Sequence, residues 1–281
     1  MQHSPSATSV GRDSNRDGAG CRREVRRPRP IRSAGVVTVA YLASVRLNPL
    51  RRGAQNLISN RQRVHAAVAG VVPPAPNGRL LWRLEERRNE VELLILSPTR
   101  PTLDHIVEQA GWIDNPDGAP RVASLDPLLG QVSRGRQFEF RVALNPVVST
   151  RSVAHPTGGQ AKRLESGQAV RVAHRTAAHQ LEWFLDRTVG EVPRWGFTVG
   201  SDPEDAQVQI VGREQVRFSR GRGAGQVHLN IVTFQGRLEV VDVDVFKQAL
   251  LNGIGKAKAY GCGLLTLAPP RTVDVVARGR S

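Results

Sequence analysis

Residues 253–267 read Gly-Ile-Gly-Lys-Ala-Lys-Ala-Tyr-Gly-Cys-Gly-Leu-Leu-Thr-Leu, and the rest of the chain is organised around this stretch. Glycine loses much backbone entropy on folding, so a cluster of glycines marks positive φ or a backbone that approaches something closely. The interleaved Lys256 and Lys258 indicate a negatively charged partner, because loop amides and ammonium groups together bind phosphate. Composition alone also allows a flexible basic turn.

Two common phosphate-binding motifs are excluded at this stretch. A dinucleotide fingerprint has a third glycine where this chain has Lys258, and a Walker A loop has Ser or Thr where this chain has Ala257. The stretch also comes near the end of the pattern of elements, with one strand after it. That position rules out the start of a nucleotide-binding βαβ unit.

The apolar pattern that leads up to this stretch predicts the order β-α-β-β-α-β. The predicted elements are a strand at 138–144, a helix at 174–189, strands at 207–218 and 226–241, a helix at 245–251 and a closing strand at 264–268.

The same order is predicted nearer the amino end, with strands at 39–47, 80–84, 91–96 and 119–125 and a short helix at 102–110. The start of the helix after the first strand is predicted from Ser59 and Gln62, which match a capping box. Leu-Asn-Pro occurs at 47–49 and again at 144–146, each time at the end of a first strand. The predicted fold class is therefore α+β, with two tandem ferredoxin-like (RRM-like) domains at 39–130 and 135–270.

The formal net charge is +15 over 281 residues, which indicates a polyanionic partner. Residues 1–38 are rich in Arg, Ser, Gly and Pro and predict a basic, disordered tail, and 271–281 predict a second flexible tail. No apolar stretch approaches the length of about 18 residues that a membrane span needs, so no membrane partner is expected. Cys21 and Cys262 lack metal-ligand spacing, so we expect no metal and no cofactor, and a reducing cytoplasm as the location.

His65 is the first candidate for chemistry. It lies on the predicted first helix beside the apolar positions Val64 and Val68, so it is either a structural histidine at the edge of the core or a general acid or base. Four arginines, at positions 51, 52, 61 and 63, make its surroundings positive, which favours a phosphodiester there.

A basic hairpin turn is the second candidate. Arg213, Arg217, Arg220 and Arg222 lie along two predicted strands and their turn, where they would lie against an RNA or DNA duplex. Asp242 and Asp244 have the spacing of a magnesium site, but they come where the last helix begins, so an N-cap is the preferred interpretation.

A resemblance to a known family lies in the stretch 253–269, in Tyr41-Leu42, Leu47-Asn48-Pro49 and Val64-His65-Ala66-Ala67-Val68, in the strand at 140–146 and in Phe234-Gln235-Gly236-Arg237-Leu238. At these positions the sequence resembles the CasE family. These are the CRISPR-associated endoribonucleases of type I-E systems, and the resemblance covers about 39–269. It implies binding of the repeat hairpin of precursor CRISPR RNA, and one metal-independent cut at the 3′ base of the stem by attack of the RNA's own 2′-OH. It also implies other subunits of the Cascade complex as partners.

By position, the resemblance makes His65 the catalytic histidine, and Lys256 is the residue we expect to stabilise the phosphorane. Many members have a tyrosine three residues before the histidine, where this chain has Gln62, so the second catalytic group stays open. The residues expected to bind RNA are Arg51, Arg52, Arg61, Arg63, Arg213, Arg217, Arg220, Arg222, Gly253, Gly255, Lys258, Gly261 and Gly263.

Two other functions remain at this point. The first is a non-catalytic, hairpin-binding subunit of a ribonucleoprotein complex, since ferredoxin-like domains bind RNA without cutting it. The second is a small basic nuclease that uses a metal ion held by Asp242 and Asp244.

Overall fold

The computed structural model describes residues 40–73, 78–87, 90–112, 118–219 and 226–270. The predicted tails at 1–38 and 271–281 lie outside the described residues, as do Arg220 and Arg222. Each of the two predicted β-α-β-β-α-β patterns corresponds to one antiparallel sheet with helices, and the domain limits given above stay a prediction.

The first pattern forms a four-stranded sheet. Its elements are β1 (Tyr41–Leu47), α1 (Arg52–Ile58), α2 (Arg61–Ala69), β2 (Leu81–Arg87), β3 (Glu90–Ser97), α3 (Asp104–Ala110) and β4 (Arg121–Ser124). The strand order is β2-β3-β1-β4, and every neighbouring pair is antiparallel. The first strand therefore lies in the middle, which is the ferredoxin-like arrangement.

Alternation along β1 explains this packing. Ala43, Val45 and Leu47 are buried on one face of the sheet, where they contact Val64 and Val68 of α2 within one hydrophobic cluster. Side chains of a strand alternate between its two faces, so a two-residue period buries one face under the helices. These contacts fix α2, and with it His65, against the sheet.

The second pattern begins after α4 (Asp126–Gln131). Its elements are β5 (Gln137–Leu144), β6 (Val147–Thr150), α5 (Gly158–Glu165), β7 (Val170–Ala173), α6 (Ala177–Thr188), β8 (Phe197–Thr198), β9 (Val208–Ser219), β10 (Gln226–Val240), α7 (Val243–Asn252) and β11 (Leu265–Ala268). The strand order is β11-β5-β10-β8, with β9 also paired to β10, so β5 is central as β1 is.

The fold is two tandem ferredoxin-like domains, as the sequence predicts. The Leu-Asn-Pro repeat follows β1 and β5, the equivalent central strands, so this short motif marks the same place in each half. The second core is aromatic: Phe184 stacks on Phe234 with ring centroids 4.4 Å apart, and both side chains are fully buried.

The predicted capping box at the start of the first helix is wrong. Ser59 is the C-cap of α1, a helix that the sequence analysis did not predict, and α2 starts two residues later. Asn60 is the N-cap of α2, and its side-chain oxygen accepts a hydrogen bond of 2.8 Å from the Gln62 amide. A two-residue connection, Ser59-Asn60, between two short helices replaces the single helix start, because Asn caps helices as well as Ser does.

None of the described helices is both long and apolar enough to cross a bilayer.

Candidate active site

The glycine-rich stretch folds into a loop between α7 and β11 that includes a short 3-10 helix, Lys258–Tyr260. Its backbone turns through the left-handed region at Gly253, Gly255, Ala257, Gly261 and Gly263, with φ between 63° and 90°. Two hydrogen bonds close its base, from Ile254 N to Gly263 O (3.0 Å) and from Gly263 N to Ala143 O of β5 (2.8 Å).

Protein side chains explain the glycine at two of these positions. A Cβ at Gly261 would lie 2.7 Å from Arg61 Nη1 and 2.7 Å from the Trp82 ring. A Cβ at Gly253 would lie 2.8 Å from the Leu81 side chain. At these two positions, therefore, glycine lets the loop lie close to α2 and β2 of the first domain.

Polar contacts tie the loop to the first domain as well. The indole Nε1 of Trp82 donates to Ala259 O over 3.3 Å, and Arg61 Nη1 donates to Tyr260 O over 3.3 Å. The glycine-rich loop is thus the junction between the two domains.

This junction brings His65 and the glycine-rich loop together, as the sequence analysis expects. The ring centroids of His65 and Tyr260 are 6.3 Å apart in an edge-to-face arrangement. His65 is half-buried, one turn after Arg61 on α2, so the imidazole borders the core without being enclosed by it. Tyr260 also packs edge-on against Phe218 of β9, with centroids 4.8 Å apart.

Arg61 has a structural role that its sequence context does not reveal. Its side chain is 10% exposed, and its Nη2 lies 2.5 Å from a carboxylate oxygen of Glu214 on β9. With the bond to Tyr260 O, the guanidinium links α2, the glycine-rich loop and β9. We therefore assign Arg61 to positioning of the site, although it was expected to bind RNA.

The other three arginines near His65 differ among themselves. Arg51 donates to the carbonyls of Val107, Gly111 and Glu108, so it caps the end of α3. Arg52 is exposed, and Arg63 is exposed while bonded to Asn56 on α1. Of these four arginines, Arg52 and Arg63 are therefore the two that are exposed to a ligand.

The two lysines of the loop also differ. Lys256 is exposed, whereas Lys258 is half-buried and its Nζ donates to Asn252 O (2.8 Å) and Gly253 O (2.6 Å) at the end of α7. Burial, with further contributions from the nearby charges of Arg79 and Lys256, lowers the pKa of Lys258 to about 8. Lys256 is the loop cation that is open to a ligand.

On the long hairpin, β9 and β10 pair in antiparallel fashion, and Arg217 lies opposite His228. Arg217 is exposed, whereas Arg213 reaches across to α6 and the residues before it, donating to Gln180 Oε1 (2.9 Å) and Arg175 O (2.5 Å). Of the two described arginines on β9, Arg213 makes these anchoring contacts and Arg217 is exposed.

The carboxylates proposed for a metal ion have another use. Asp242 Oδ1 accepts from Val245 N (3.0 Å) as the N-cap of α7, which confirms the N-cap interpretation. In the part of the chain that the structure describes, no three His, Cys, Asp or Glu side chains lie close enough to hold a metal ion.

Sequence reasoning missed a buried ionic network beside the loop. Glu85 on β2 lies 2.6 Å from Arg83 and 3.0 Å from Arg141 on β5, and the Arg83 and Glu85 side chains are 3% and 4% exposed. Arg83 also donates to Leu264 O (2.6 Å) and Thr266 Oγ1 (2.8 Å) of the second domain. The signal in the sequence is Arg-Leu-Glu, two opposite charges on one face of an apolar strand.

A groove of about 300 Å³ opens between the two domains. It is lined by residues that include Arg61, Glu85, Arg141, Glu214 and Gly261, so it borders both the ionic network and the loop. An elongated polar ligand that lay in this groove would touch both halves of the molecule.

Comparison with known proteins now identifies the family. The family model described as "CRISPR associated protein" matches residues 40–269. The chain is 30% identical over 236 residues to the CRISPR-associated endoribonuclease Cse3 of Thermus thermophilus, a match that covers 82% of this chain and all of the relative. This chain is a member of the CasE family.

Two further comparisons agree with this membership. The CasE-family chain is 27% identical over 196 residues to the Cascade subunit CasE of Escherichia coli, covering 67% of this chain and 88% of that protein. The structure of the CRISPR endoribonuclease Cse3 bound to a 19-nucleotide RNA superimposes with a TM-score of 0.61 at 28% identity, covering 82% of this chain and 100% of the other.

Proposed function

We propose that this CasE-family chain is an endoribonuclease that binds the repeat hairpin of precursor CRISPR RNA and cuts it once at the 3′ base of the stem. The observation that carries the proposal is the meeting of His65 on α2 with Tyr260 of the glycine-rich loop, the loop that also carries the exposed Lys256. A proton-transfer group and a cation therefore lie on the two sides of one junction. The Thermus relative is named as an endoribonuclease, which supports the same chemistry here.

The reaction is transesterification by the RNA's own 2′-OH. The imidazole of His65 accepts the 2′-OH proton, the oxygen attacks the adjacent phosphorus, and the 5′-oxygen leaves in line with the attack. Lys256 and the loop amides stabilise the additional negative charge on the phosphorane. The 5′-oxygen takes up a proton and becomes a 5′-hydroxyl end, and the other product is a cyclic phosphate end, which hydrolysis by water converts to a 3′ phosphate; no step of this scheme uses a metal ion.

Binding of the hairpin rests on charge and on shape. A-form RNA is recognised mainly through its backbone, so we assign the stem contacts to exposed cations on both sides of the junction. Among the described residues we assign them to Arg52, Arg63, Lys256 and Arg217, and we extend the set to Arg220 and Arg222, which the sequence analysis expects to bind RNA. The E. coli relative is named as a Cascade subunit, which supports retention of the cleaved hairpin within that complex.

The test replaces His65 by alanine and uses repeat RNA from the CRISPR array of the same genome. We expect His65→Ala to slow single-turnover cleavage by about 10²- to 10⁴-fold, the usual contribution of a general acid or base, with the Kd for the hairpin nearly unchanged. The matched control is His179→Ala, since His179 is exposed on α6 and belongs to neither side of the junction.

The same assay is run in EDTA, where wild-type cleavage should persist. Loss of cleavage on chelation would favour the metal-dependent nuclease instead. A wild-type protein that binds the hairpin tightly without cutting it would establish the non-catalytic binding subunit. Normal cutting by His65→Ala would remove His65 from the mechanism.

A further inference from the structure

Tyr260 is held in place from three sides. Its backbone nitrogen donates to Ala257 O (2.9 Å), its carbonyl accepts from Arg61 (3.3 Å), and its ring lies edge-on between Phe218 and His65. The side chain is half-buried, so the phenol is oriented by the protein and still reaches the surface. A ring positioned this firmly beside the candidate catalytic histidine has a defined orientation before any RNA binds.

The polar atoms of both rings are available to a ligand. Within the described residues, no hydrogen bond involves the Tyr260 hydroxyl or the His65 imidazole. If the side chain at position 260 served only for packing, a phenylalanine ring would do the same, and the hydroxyl would have no role. The free hydroxyl therefore points to a partner outside the chain.

The proposed reaction needs two proton transfers, and His65 performs one of them at a time. One proton leaves the 2′-OH, and another must reach the departing 5′-oxygen, because an alkoxide is a poor leaving group. Gln62, one turn before His65, carries an amide that neither gains nor loses a proton under these conditions. Lys258 is engaged by the carbonyls of Asn252 and Gly253, and the proposed function already assigns Lys256 to the negative charge of the phosphorane.

We infer that Tyr260 is the general acid of the reaction and protonates the 5′-oxygen while His65 accepts the proton of the 2′-OH. The inference rests on the proposed function. As the O2′–P bond forms and the P–O5′ bond breaks, the 2′ proton moves to the imidazole and the phenol proton moves to the leaving oxygen. The phenolate and the imidazolium that remain exchange one proton and restore the starting state, so the cycle needs no other reactant.

The experiment uses Tyr260→Phe, which removes one oxygen and keeps the ring that packs on Phe218 and His65. We expect single-turnover cleavage of the natural repeat hairpin to slow by about 10²-fold or more, with the Kd for the RNA unchanged. Tyr41→Phe is the matched control, because Tyr41 is the other tyrosine of the chain and lies at the start of β1. It should cut at the wild-type rate.

A second substrate distinguishes proton donation from any other role. It is the same hairpin with sulfur in place of the bridging 5′-oxygen at the cut, since a thiolate leaves without being protonated. Tyr260→Phe should cut this RNA at close to the wild-type rate, while His65→Ala should remain slow on it. That pattern supports Tyr260 as the acid and His65 as the base.

Three results would overturn the inference. A wild-type rate of Tyr260→Phe on natural RNA would show that cleavage does not need the hydroxyl, and equal slowing on both RNAs would assign the hydroxyl to binding or folding. Rescue of His65→Ala by sulfur would give the acid role to the histidine. In each of these cases the proposed function stands, whereas a wild-type protein that cuts neither RNA removes both.

Discussion

Lys256 and Lys258 are two residues apart in one loop and have different surroundings. The ammonium of Lys258 lies on the carbonyls that end α7, where cations are favoured by the helix dipole. Burial opposes that effect and, with Arg79 and Lys256 nearby, lowers the pKa of Lys258 to about 8. Lys258 thus serves the shape of the loop, and we propose that Lys256 serves the RNA.

This difference predicts a pH dependence of stability. The pKa of Lys258 is about 8 in the folded chain against 10.5 for an ordinary lysine, so between these values the unfolded chain binds more protons. The free energy of unfolding of the wild type, relative to Lys258→Met, should therefore rise from pH 8 to pH 10.5 and be flat below that window. Urea unfolding of both proteins at each pH measures it.

Lys162→Met is the control for this series, because Lys162 is exposed on α5 and should follow the wild type at every pH. Parallel curves for Lys258→Met and the wild type across the window would show that the folded chain does not lower this pKa.

At the scale of elements, the hairpin of β9 and β10 carries a residue that is predicted to bind RNA. Arg217 on β9 is exposed and stands opposite His228 on the neighbouring strand. Nearby, Arg213 is anchored to Gln180 and the Arg175 carbonyl, and Glu214 is paired with Arg61. The base of the hairpin is thus anchored to other elements of the protein, and its outer part remains for binding RNA.

Arg217→Ala should weaken hairpin binding and lower the slope of log Kd against log salt by about one, as expected for one lost phosphate contact. Filter binding at several salt concentrations measures both. Arg134→Ala is the control, because Arg134 is also exposed but lies just before the start of β5. The glycine-rich loop is bonded to Ala143, near the other end of that strand. An unchanged affinity and slope for Arg217→Ala would make the hairpin an ordinary surface element.

The sequence predicted most elements of the two repeated patterns and missed a segment inserted in the second. The pair β2 and β3, the long strands β9 and β10 and the helix α7 were predicted within three residues of their ends, because their apolar periodicity extends over many residues. The segment β6, α5 and β7 between Val147 and Ala173 was not predicted, since its helix is exposed and its two short strands form a sheet of their own outside the repeated pattern.

Prediction of the site has a similar limit. The sequence analysis gives His65, through the family resemblance, and Lys256 of the loop roles at one scissile phosphate, which implies that α2 and the loop meet, as they do here. Tyr260 was not singled out, because its place beside His65 depends on side-chain packing against Phe218 that no local pattern encodes. The pairing of Arg61 with Glu214 also joins residues far apart in the chain.

At the scale of the whole molecule, two ionic contacts among the described residues join the domains, and their burial differs. Glu85 is 4% exposed between Arg83 and Arg141, whereas the Glu214 side chain is 50% exposed beside Arg61. Removing one partner of a buried pair leaves an uncompensated charge away from water, while solvent screens the partner of a half-exposed one.

Glu85→Gln should therefore lower the free energy of unfolding by about 3 kcal/mol, the usual effect of breaking a buried pair. Glu214→Gln is the matched variant, and it should lower the free energy of unfolding by about 1 kcal/mol or less. Chemical denaturation at neutral pH compares the two. Equal losses would mean that water reaches Glu85 in solution.

The junction has a consequence for synthesis of the protein on the ribosome. His65 emerges early, but the tyrosine it meets and the strand that closes the second sheet, β11, are made near the end of the described chain. A nascent or truncated polypeptide that stops before residue 260 lacks one side of the candidate site. Unfinished molecules would then be inert towards cellular transcripts, and activity would begin only when translation has passed the glycine-rich loop.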